Sequence, residues 1–465
     1  MLRTKIASSV WYGKWALWRS LDLRKVHDLY RRKKCLLESD REALETIQNQ
    51  RFIELVQFHW VNPWLRRYFI SAGLSIEQVE KYGVQVLQDL PTLTKETLRQ
   101  EISEMVNPRA NGVYQNSSGG STGTPLNFFQ DEHYLVETTA TTWIGDEMAG
   151  WYPGARVARL WGAPSDTGKV SGWWGALKLW LANEEWLDSF NMSKQRMAAY
   201  HERMSKFQPE VIVAYASSMY IFSQFLRKQG IRPNYPKKGI IVSAEVLTDE
   251  MRSAIEEVFP VDVFNRYGSR EVGNVAMECQ VHGGLHQFMF DHIVECVDPV
   301  NGSPVWEQPG EVVVTSLNNY AMPFIRYRIG DMGVLSKEVC PCGRETYLIR
   351  KIVGRTSDTI TTRTGRLIHG EYFTHVFYGI KGVERFQFIQ ETLNRYRLLI
   401  VSTPEFSNES LSKIRCEILD VVGEGSELIV EFVKEIPVTV TGKYRFTISR
   451  VPLGHSSKDQ TTGEI

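Results

Sequence analysis

A short segment rich in serine, threonine and glycine begins at Ser117 and is closed by Pro125. Glycines permit positive φ angles, so successive backbone N–H groups can point into one concavity, and the hydroxyl groups add further donors. Such a loop can wrap a triphosphate, although a flexible surface loop often has the same composition. It is not a Walker A loop, because no Gly-Lys-Ser/Thr sequence follows and the next residues predict a strand rather than a helix. The candidate phosphate-binding residues are Ser117, Ser118, Gly119, Gly120, Ser121, Thr122, Gly123 and Thr124.

Three shorter motifs carry groups that could complete a nucleotide site. The run Tyr267-Gly268-Ser269-Arg270-Glu271 follows a strand predicted over residues 261–264. An aromatic ring there can stack on a base, and a carboxylate can hold Mg²⁺. Asp331 ends a Tyr-Arg-x-Gly-Asp run and can accept hydrogen bonds from ribose hydroxyls, and Lys443 lies in a late Thr-Gly-Lys sequence. Each of these residues, taken alone, is equally typical of an ordinary turn or a solvated surface.

Cysteine and histidine spacing adds a candidate metal site. Cys279, His282 and His286 lie close together in sequence, and Cys340-Pro341-Cys342 follows later. Three thiols and one imidazole can complete a tetrahedral zinc site. The spacing does not decide between His286 and His282 as the fourth ligand. The alternative is two unrelated groups of reduced cysteines.

The elements that must position these residues change character along the chain. Residues 1 to about 105 are predicted to be helical, with a helix over 40–57 capped by Ser39 and another beginning after Thr94. Strands predicted over 211–214, 239–243 and 261–264 alternate with helices over 219–228 and 249–258. This alternation favours a mostly parallel sheet with helices on its faces. A second β-rich stretch covers residues 293–335 and contains a strand predicted over 324–327.

A compact α+β unit is predicted after Gly354. It contains a short helix over 371–377, strands over 385–390, 396–402 and 428–432, and an amphipathic helix over 410–422. We therefore expect a large N-terminal domain, residues 1–353, and a small mobile lid domain, residues 354–465. The hinge is expected at residues 354–358.

Composition narrows the classes of partner. The 465 residues contain 54 basic and 54 acidic side chains, and this balance does not favour a nucleic-acid partner. No apolar run approaches the ~18 residues that span a bilayer. Six cysteines in so long a chain do not form a disulfide scaffold, so we expect a reducing, cytoplasmic location. The basic, aromatic N-terminus predicts a helix packed on the body, and a peripheral membrane helix is the alternative.

Together, the ordered motifs resemble those of the adenylate-forming superfamily, from about residue 45 to 450. Within it, the sequence is similar to the phenylacetate–CoA ligase branch, which includes coenzyme F390 synthetase-like and CapK-like capsular polysaccharide proteins. The branch rests on Ser-Ser-Gly-Gly-Ser-Thr-Gly-Thr-Pro, on Asn319-Tyr320-Ala321-Met322-Pro323 and on Cys340-Pro341-Cys342-Gly343-Arg344. The resemblance implies an α/β fold, ATP and Mg²⁺ as cofactors, a small carboxylic acid as substrate, and coenzyme A as acceptor.

The resemblance also implies roles for individual residues. Ala244 and Glu245 line the adenine with Tyr267, Gly268 and Ser269, while Asp331 binds the ribose and Arg355 lies beside it at the hinge. Glu271 helps to hold Mg²⁺, and Lys443 bridges the substrate carboxylate and the α-phosphate. The family pattern favours His286 over His282 as the ligand of a structural Zn²⁺, with Cys279, Cys340 and Cys342. The sequence departs from the superfamily pattern at two positions: Thr124 and Arg363 stand where many members of the superfamily have lysine.

These observations lead to an acyl–CoA ligase acting on an aryl or other small acid. The nearest alternative keeps adenylation but transfers the acyl group to an amine, a hydroxyl or a carrier thiol in surface polysaccharide synthesis. A non-catalytic nucleotide-binding scaffold is the alternative from another class. The sequence leaves the acid unidentified and leaves a homodimer open.

Overall fold

The fold is known from a computed structural model. It describes residues 23–118, 126–161, 177, 179–180, 182–189, 192–355, 360–364, 367–368, 372–373, 376–377, 380–436 and 445–451. Within these ranges, no helix is both long and apolar enough to cross a bilayer.

Helices form the N-terminal part, as the sequence predicts. They are α1 (Leu23–Leu37), α2 (Arg41–His59), α3 (Pro63–Ser71), α4 (Ile76–Tyr82) and α5 (Lys95–Met105), with a 3₁₀ segment at Gly83–Asp89. The predicted cap of α2 is wrong: Asp40, not Ser39, accepts the hydrogen bond from the N–H of Ala43. A carboxylate at this position also interacts favourably with the positive end of the helix dipole. The predicted cap Thr94 is confirmed, since its side chain accepts from the N–H of Thr97.

A β-hairpin and a long helix follow. Strands β1 (Tyr114–Ser117) and β2 (Asn127–Gln130) pair antiparallel, so the predicted phosphate-binding loop joins the two strands of a hairpin. Helix α6 (Glu132–Met148) begins directly afterwards, because the Asp131 side chain accepts from the N–H of Tyr134. The face of α6 that carries Trp143 and Ile144 is buried against the central sheet.

The central sheet has eleven strands. Its elements in chain order are β3 (Val157–Leu160), β4 (Glu184–Leu187), α7 (Lys194–Phe207), β5 (Val211–Tyr215), α8 (Ala216–Lys228), β6 (Gly239–Ser243), α9 (Asp249–Val258), β7 (Val263–Ser269), β8 (Gly273–Glu278), β9 (Leu285–Gln287), β10 (His292–Val297), β11 (Pro309–Ser316), β12 (Tyr327–Ser336) and β13 (Leu348–Arg355). The strand order across the sheet is β10-β11-β12-β13-β9-β8-β7-β6-β5-β3-β4.

Parallel pairing is confined to one half of this sheet. Strands β4, β3, β5, β6 and β7 are parallel neighbours, and the central strands β5 and β6 are buried at every residue. The other half, from β8 to β13, pairs antiparallel. The second β-rich stretch predicted over 293–335 contains β10, β11 and β12 to within one residue, whereas β8, β9 and β13 lie outside it. The predicted α/β class is confirmed. The strand predicted over 324–327 is wrong, because β12 begins only at Tyr327.

A second, smaller sheet forms the C-terminal part. It follows a short hairpin of β14 (Ile360–Thr361) and β15 (Leu367–Ile368), and it contains β16 (Val383–Thr392), β17 (Arg395–Ser402), β18 (Glu427–Phe432) and β19 (Thr447–Ser449) in the order β18-β17-β16-β19. Helix α10 (Asn408–Val422) buries Ile414 and Ile418 in a core of its own with Phe388 and Tyr396. The predicted helix over 371–377 and the predicted hinge lie only partly within the described residues.

A buried ionic network joins α1 to α6 and to the residue that precedes β10. The Lys33 amine is 2% exposed and lies 2.6 Å from a Glu137 carboxylate oxygen on α6 and 2.8 Å from an Asp291 carboxylate oxygen. Arg51 on α2 also contacts both acids, at 3.2 Å and 3.0 Å. Two cations thus compensate two buried carboxylates, which is the condition under which such charges are tolerated in a protein interior.

Candidate functional site

The Tyr-Gly-x-x-Glu motif lies at the carboxyl end of the parallel half of the sheet. Strand β7 extends to Ser269, so Tyr267 and Gly268 belong to the strand, and the prediction that they follow a strand ending at residue 264 is wrong. A side chain at Gly268 would place its Cβ 2.3 Å from the carbonyl oxygen of Gly273 on β8. Only glycine allows the two strands to approach so closely there. Glu271 is held in the tight connection between β7 and β8.

Glu271 is surrounded by hydrogen-bond donors from three other elements. The Tyr327 hydroxyl donates to its Oε1 atom at 3.3 Å, and burial raises the pKa of Tyr327, so this hydroxyl stays protonated as a donor. Gln130 Nε2 donates to the backbone carbonyl of Arg270 at 2.9 Å, and the Tyr134 hydroxyl contacts the carbonyl of Glu271 at 3.4 Å. Glu271 is 4% exposed, and the hydrogen bond from Tyr327 orients its carboxylate.

Asp331 is brought to the same place from the antiparallel half. The Tyr267 hydroxyl donates to Asp331 Oδ2 at 2.9 Å. Strands β7 and β12 are separated by four inter-strand spacings, or ~19 Å in a flat sheet, so the sheet must curl to bring the two residues together. Asp331 lies within β12 rather than at the strand end that the sequence predicts, and it is paired with Arg355 of β13. The side chain of Arg355 lies outside the described residues.

The Ala244-Glu245 turn directly follows β6. Ala244 has a φ of 68°, an uncommon conformation for a residue with a side chain, and such residues concentrate at functional sites. Glu245 Oε2 accepts a hydrogen bond from the N–H of Ser217 at 2.9 Å, in the first turn of α8. A carboxylate stabilises a helix N-terminus, so Glu245 fixes this turn against the start of α8.

The predicted phosphate-binding segment is described only at its start. Ser117 ends β1, and Ser118 closes the hairpin: its hydroxyl accepts from the N–H of Leu126 at 2.8 Å, and its own N–H donates to the carbonyl of Leu126. Gly119, Gly120, Ser121, Thr122, Gly123 and Thr124 lie outside the described residues, as does Lys443.

Sequence reasoning missed three residues that position this site: Gln130, Tyr134 and Tyr327. Gln130 and Tyr134 lie at the end of β2 and in the first turn of α6, where a strand-end polar residue and a buried aromatic give no distinctive signal. Tyr327 begins the Tyr-Arg-x-Gly-Asp motif, in which the sequence indicates a role only for Asp331. The preceding residue, Arg326, has a φ of 49° and forms a buried ion pair with Glu295 at 2.9 Å, so it braces the entry into β12.

The predicted cysteine and histidine residues form one cluster. Cys279, His286, Cys340 and Cys342 present ligand atoms that all lie within 4.8 Å of one another. The Cys279 and Cys340 sulfur atoms are 3.7 Å apart, which is too far for a disulfide, and Cys342 Sγ lies 3.4 Å from His286 Nε2. Around a tetrahedral zinc ion two sulfur ligands are ~3.8 Å apart and a sulfur and a nitrogen ligand are ~3.5 Å apart, so both separations are close to those expected for the metal.

Groups beside the cluster favour the protonation states that metal binding requires. His286 Nδ1 lies 2.7 Å from the Thr346 hydroxyl, and the tautomer that donates this hydrogen bond leaves the Nε2 lone pair to face the thiols. Burial lowers the pKa of His286 to about 4, so its imidazole is neutral. Arg344 contacts Cys342 Sγ at 3.9 Å, and its positive charge compensates thiolate charge. His282 is not part of the cluster: its ring contacts Glu278 at 3.2 Å.

The eleven-stranded and four-stranded sheets, in their strand orders, are those of a known fold. The chain has the fold of 2-hydroxyisobutyryl-CoA ligase in its postadenylation state in complex with R3-HIB-AMP, with a TM-score of 0.69 at 18% identity over 88% of this chain and 90% of that one. The predicted resemblance to the adenylate-forming superfamily is confirmed by this fold and by named relatives.

The relatives lie in the predicted branch. Protein CapK of Staphylococcus aureus is 25% identical over 414 residues, 87% of this chain and 89% of its own length. A phenylacetate-coenzyme A ligase of Thermus thermophilus is 29% identical over 334 residues, 70% of this chain and 73% of that protein. The family model described as the CapK C-terminal domain matches residues 360–450.

Proposed function

We propose that this protein joins a carboxylic acid to ATP as an acyl adenylate and then transfers the acyl group to coenzyme A. The observation that carries the proposal is the contact between Tyr267 and Asp331, with Glu271 held nearby by Tyr327. The ring of Tyr267, the proposed ribose-binding acid Asp331 and the proposed metal-binding acid Glu271 therefore lie close together, near the carboxyl ends of the parallel strands. Ligands of open α/β sheets bind at this edge.

The chemistry explains why such groups are needed. A carboxylate oxygen attacks the α-phosphorus of ATP and pyrophosphate leaves; the thiol of coenzyme A then attacks the acyl carbon, and AMP leaves. The first step brings two anions together, and their repulsion forms a large part of the barrier. Glu271 is a suitable ligand for Mg²⁺, which supplies positive charge beside the phosphates. The backbone donors of Ser117 to Thr124 and the amine of Lys443 would bind the phosphates and the reacting carboxylate.

Lys443 requires the two predicted domains to move. It belongs to the proposed small domain, residues 354–465, whereas Glu271, Tyr267 and Asp331 belong to the proposed large domain, residues 1–353. Its charge is needed while the carboxylate attacks and must then make way for the acceptor thiol. Rotation of a small domain about a hinge at residues 354–358, which includes Arg355, would accomplish this exchange.

We also propose a structural Zn²⁺ held by Cys279, His286, Cys340 and Cys342. Three thiolates and one imidazole leave no open coordination position, so the ion stabilises the fold and takes no part in the reaction. It ties the β8–β9 connection to the β12–β13 connection.

A second candidate differs only in the acceptor. The CapK relative covers more of this chain than the phenylacetate-coenzyme A ligase does, and the CapK C-terminal model matches the proposed lid. This favours, as an alternative, transfer to an amine, a hydroxyl or a carrier thiol in surface polysaccharide synthesis. Release of AMP that depends on coenzyme A separates the two.

The deciding experiment is ATP–pyrophosphate exchange measured across a panel of carboxylic acids. Exchange that requires a particular acid supports adenylation and identifies the substrate. A protein that binds ATP but exchanges pyrophosphate with none of the acids would instead be a nucleotide-binding scaffold. Cytoplasmic location and a homodimer stay predictions.

A further inference from the structure

A cavity of about 120 Å³ lies between α6 and the first two strands of the parallel half, β3 and β4. Its volume corresponds to that of about four water molecules in the liquid. The wall is mainly polar. The lining residues whose side chains carry polar atoms that the argument uses are Thr139, Thr142, Trp143, Asp146, Arg159 and Glu184.

The charges in and behind this wall are compensated in pairs. Asp146 is 5% exposed and accepts a hydrogen bond from Arg266 at 2.9 Å. Arg159 lies 2.8 Å from one oxygen of Glu184, and the indole N–H of Trp186 donates to the other oxygen at 2.8 Å. Two positive and two negative groups therefore leave the cavity without net charge. Such a wall suits uncharged groups that donate or accept hydrogen bonds.

The hydroxyl groups in the wall belong to α6. Thr139 donates to the carbonyl of Leu135 at 2.6 Å, and Thr142 donates to the carbonyl of Thr138 at 2.8 Å. Thr142 also accepts from Asn274 on β8 at 2.8 Å. Because the hydroxyl of Thr139 uses its proton for a helix carbonyl, its lone pairs can accept a hydrogen bond from a ligand.

The position of the cavity connects it to the proposed reaction site. Arg159 and Trp161 lie on the same face of the parallel sheet, ~7 Å apart along the chain direction. The Trp161 ring stacks on Tyr215 at a centroid separation of 4.1 Å, and Tyr215 is the last residue of β5. On the other side, Asn274 lies three residues beyond Glu271. The end of the cavity at Thr142 is therefore close to the β7–β8 connection, and the cavity extends from there towards Ala182 and Glu184 at the amino end of β4.

We propose that this cavity is the distal part of the acid-binding pocket and that it selects a small acid bearing uncharged polar groups, such as hydroxyl or amide groups, over an aryl or alkyl acid. The inference rests on the proposed acid-activating function. An apolar ring in the cavity would displace water from Asp146, Arg159 and Glu184 without replacing its hydrogen bonds. Sites built from buried polar groups reject ligands that leave those groups unpaired.

The test compares ATP–pyrophosphate exchange for acids matched in carbon number, with and without hydroxyl or amide groups; phenylacetate is among the apolar ones. We expect kcat/KM to be at least ~10-fold higher for the polar members. Thr139→Val keeps the shape of the side chain and removes its oxygen. It should reduce the preference for polar acids ~3- to 10-fold, whereas Thr138→Val, on the same helix but outside the cavity wall, should leave the preference as in the wild type.

The outcomes are distinguishable. Exchange with phenylacetate or alkyl acids that equals or exceeds exchange with the polar acids overturns the inference and leaves the proposed function intact. A Thr139→Val preference identical to that of the wild type also overturns it, because the cavity would then hold only water. No exchange with any acid, in a protein whose circular dichroism shows it folded, refutes the proposed function and this inference with it.

Discussion

The hydrogen bond between Tyr267 and Asp331 offers a direct test of the nucleotide site. Tyr267→Phe removes the hydroxyl that donates to Asp331 Oδ2 at 2.9 Å and keeps the ring that is proposed to stack on adenine. Tyr267 is 7% exposed, so bulk water replaces the lost donor poorly. Hydrogen bonds to a charged acceptor contribute ~1.5–3 kcal/mol, and Asp331 is half-buried, so we take the lower end.

The expected consequence is a loss of ATP affinity of about tenfold, which corresponds to ~1.4 kcal/mol. Calorimetric titration with ATP and with 2′-deoxy-ATP is the assay. If Asp331 is oriented by Tyr267 to accept from the ribose, the wild type should bind ATP more tightly than its deoxy analogue. The variant should lose most of that difference, because its carboxylate is no longer fixed.

Tyr327→Phe provides the matched control. It removes a hydroxyl that contacts Glu271 at 3.3 Å, again from a buried tyrosine, but it leaves Asp331 and Tyr267 paired. It should preserve the ratio of the ATP and deoxy-ATP affinities. If Tyr267→Phe binds both nucleotides with wild-type affinity, or if both variants change the ratio equally, the assignment of Asp331 to the ribose is refuted.

Three further predictions concern the remaining proposed roles. Glu271→Gln should raise the Mg²⁺ concentration needed for half-maximal pyrophosphate exchange while circular dichroism shows an unchanged fold; an unaltered Mg²⁺ dependence would make Glu271 a purely structural residue of the turn. Lys443→Ala should slow acyl-adenylate formation by ~10²–10³ and spare the conversion of supplied acyl-AMP with coenzyme A, measured in separate half-reactions; equal losses in both would argue against domain alternation. Elemental analysis should find about one zinc per chain in the wild type and far less in Cys340→Ser, with a lower thermal midpoint, whereas Cys416→Ser on the exposed face of α10 should retain the metal; near-zero zinc in every sample would remove the metal from the proposal.

Individual strands, helices and caps could be predicted because the residue patterns that specify them lie within one short segment of the chain. Strand Gly239–Ser243 and helix Asp249–Val258 agree with their predicted bounds, since a buried apolar run and a 3.6-residue period are read within one segment. Thr94 could be identified as a cap for the same reason. The choice between Ser39 and Asp40 could not be made, because both are good caps and only the backbone geometry decides.

Long-range contacts account for most of what the sequence could not indicate. Tyr267 and Asp331 meet because the antiparallel half of the sheet curls, and nothing near either residue encodes that curvature. The four residues of the cysteine and histidine cluster were an exception, because these residue types are few enough for their spacing to be informative. The cavity charges were missed entirely: Asp146 and Glu184 resemble ordinary helix and surface acids until the sheet places an arginine beside each.

The ionic network of Lys33 bears on how the chain can be shortened. Helix α1 ends ~80 residues before the Ser/Thr/Gly segment that begins at Ser117. The sequence alone therefore gives no reason to expect that a chain beginning at α2 would be damaged. Removing α1 would remove Lys33, one of the two cations that face Glu137 and Asp291. The side chains of these two acids are nearly inaccessible to water. Losing one partner of a buried ion pair costs ~3–5 kcal/mol, a large share of the ~5–15 kcal/mol by which domains are stable. A truncated protein should therefore accumulate as insoluble material, and its failure would say nothing about catalysis.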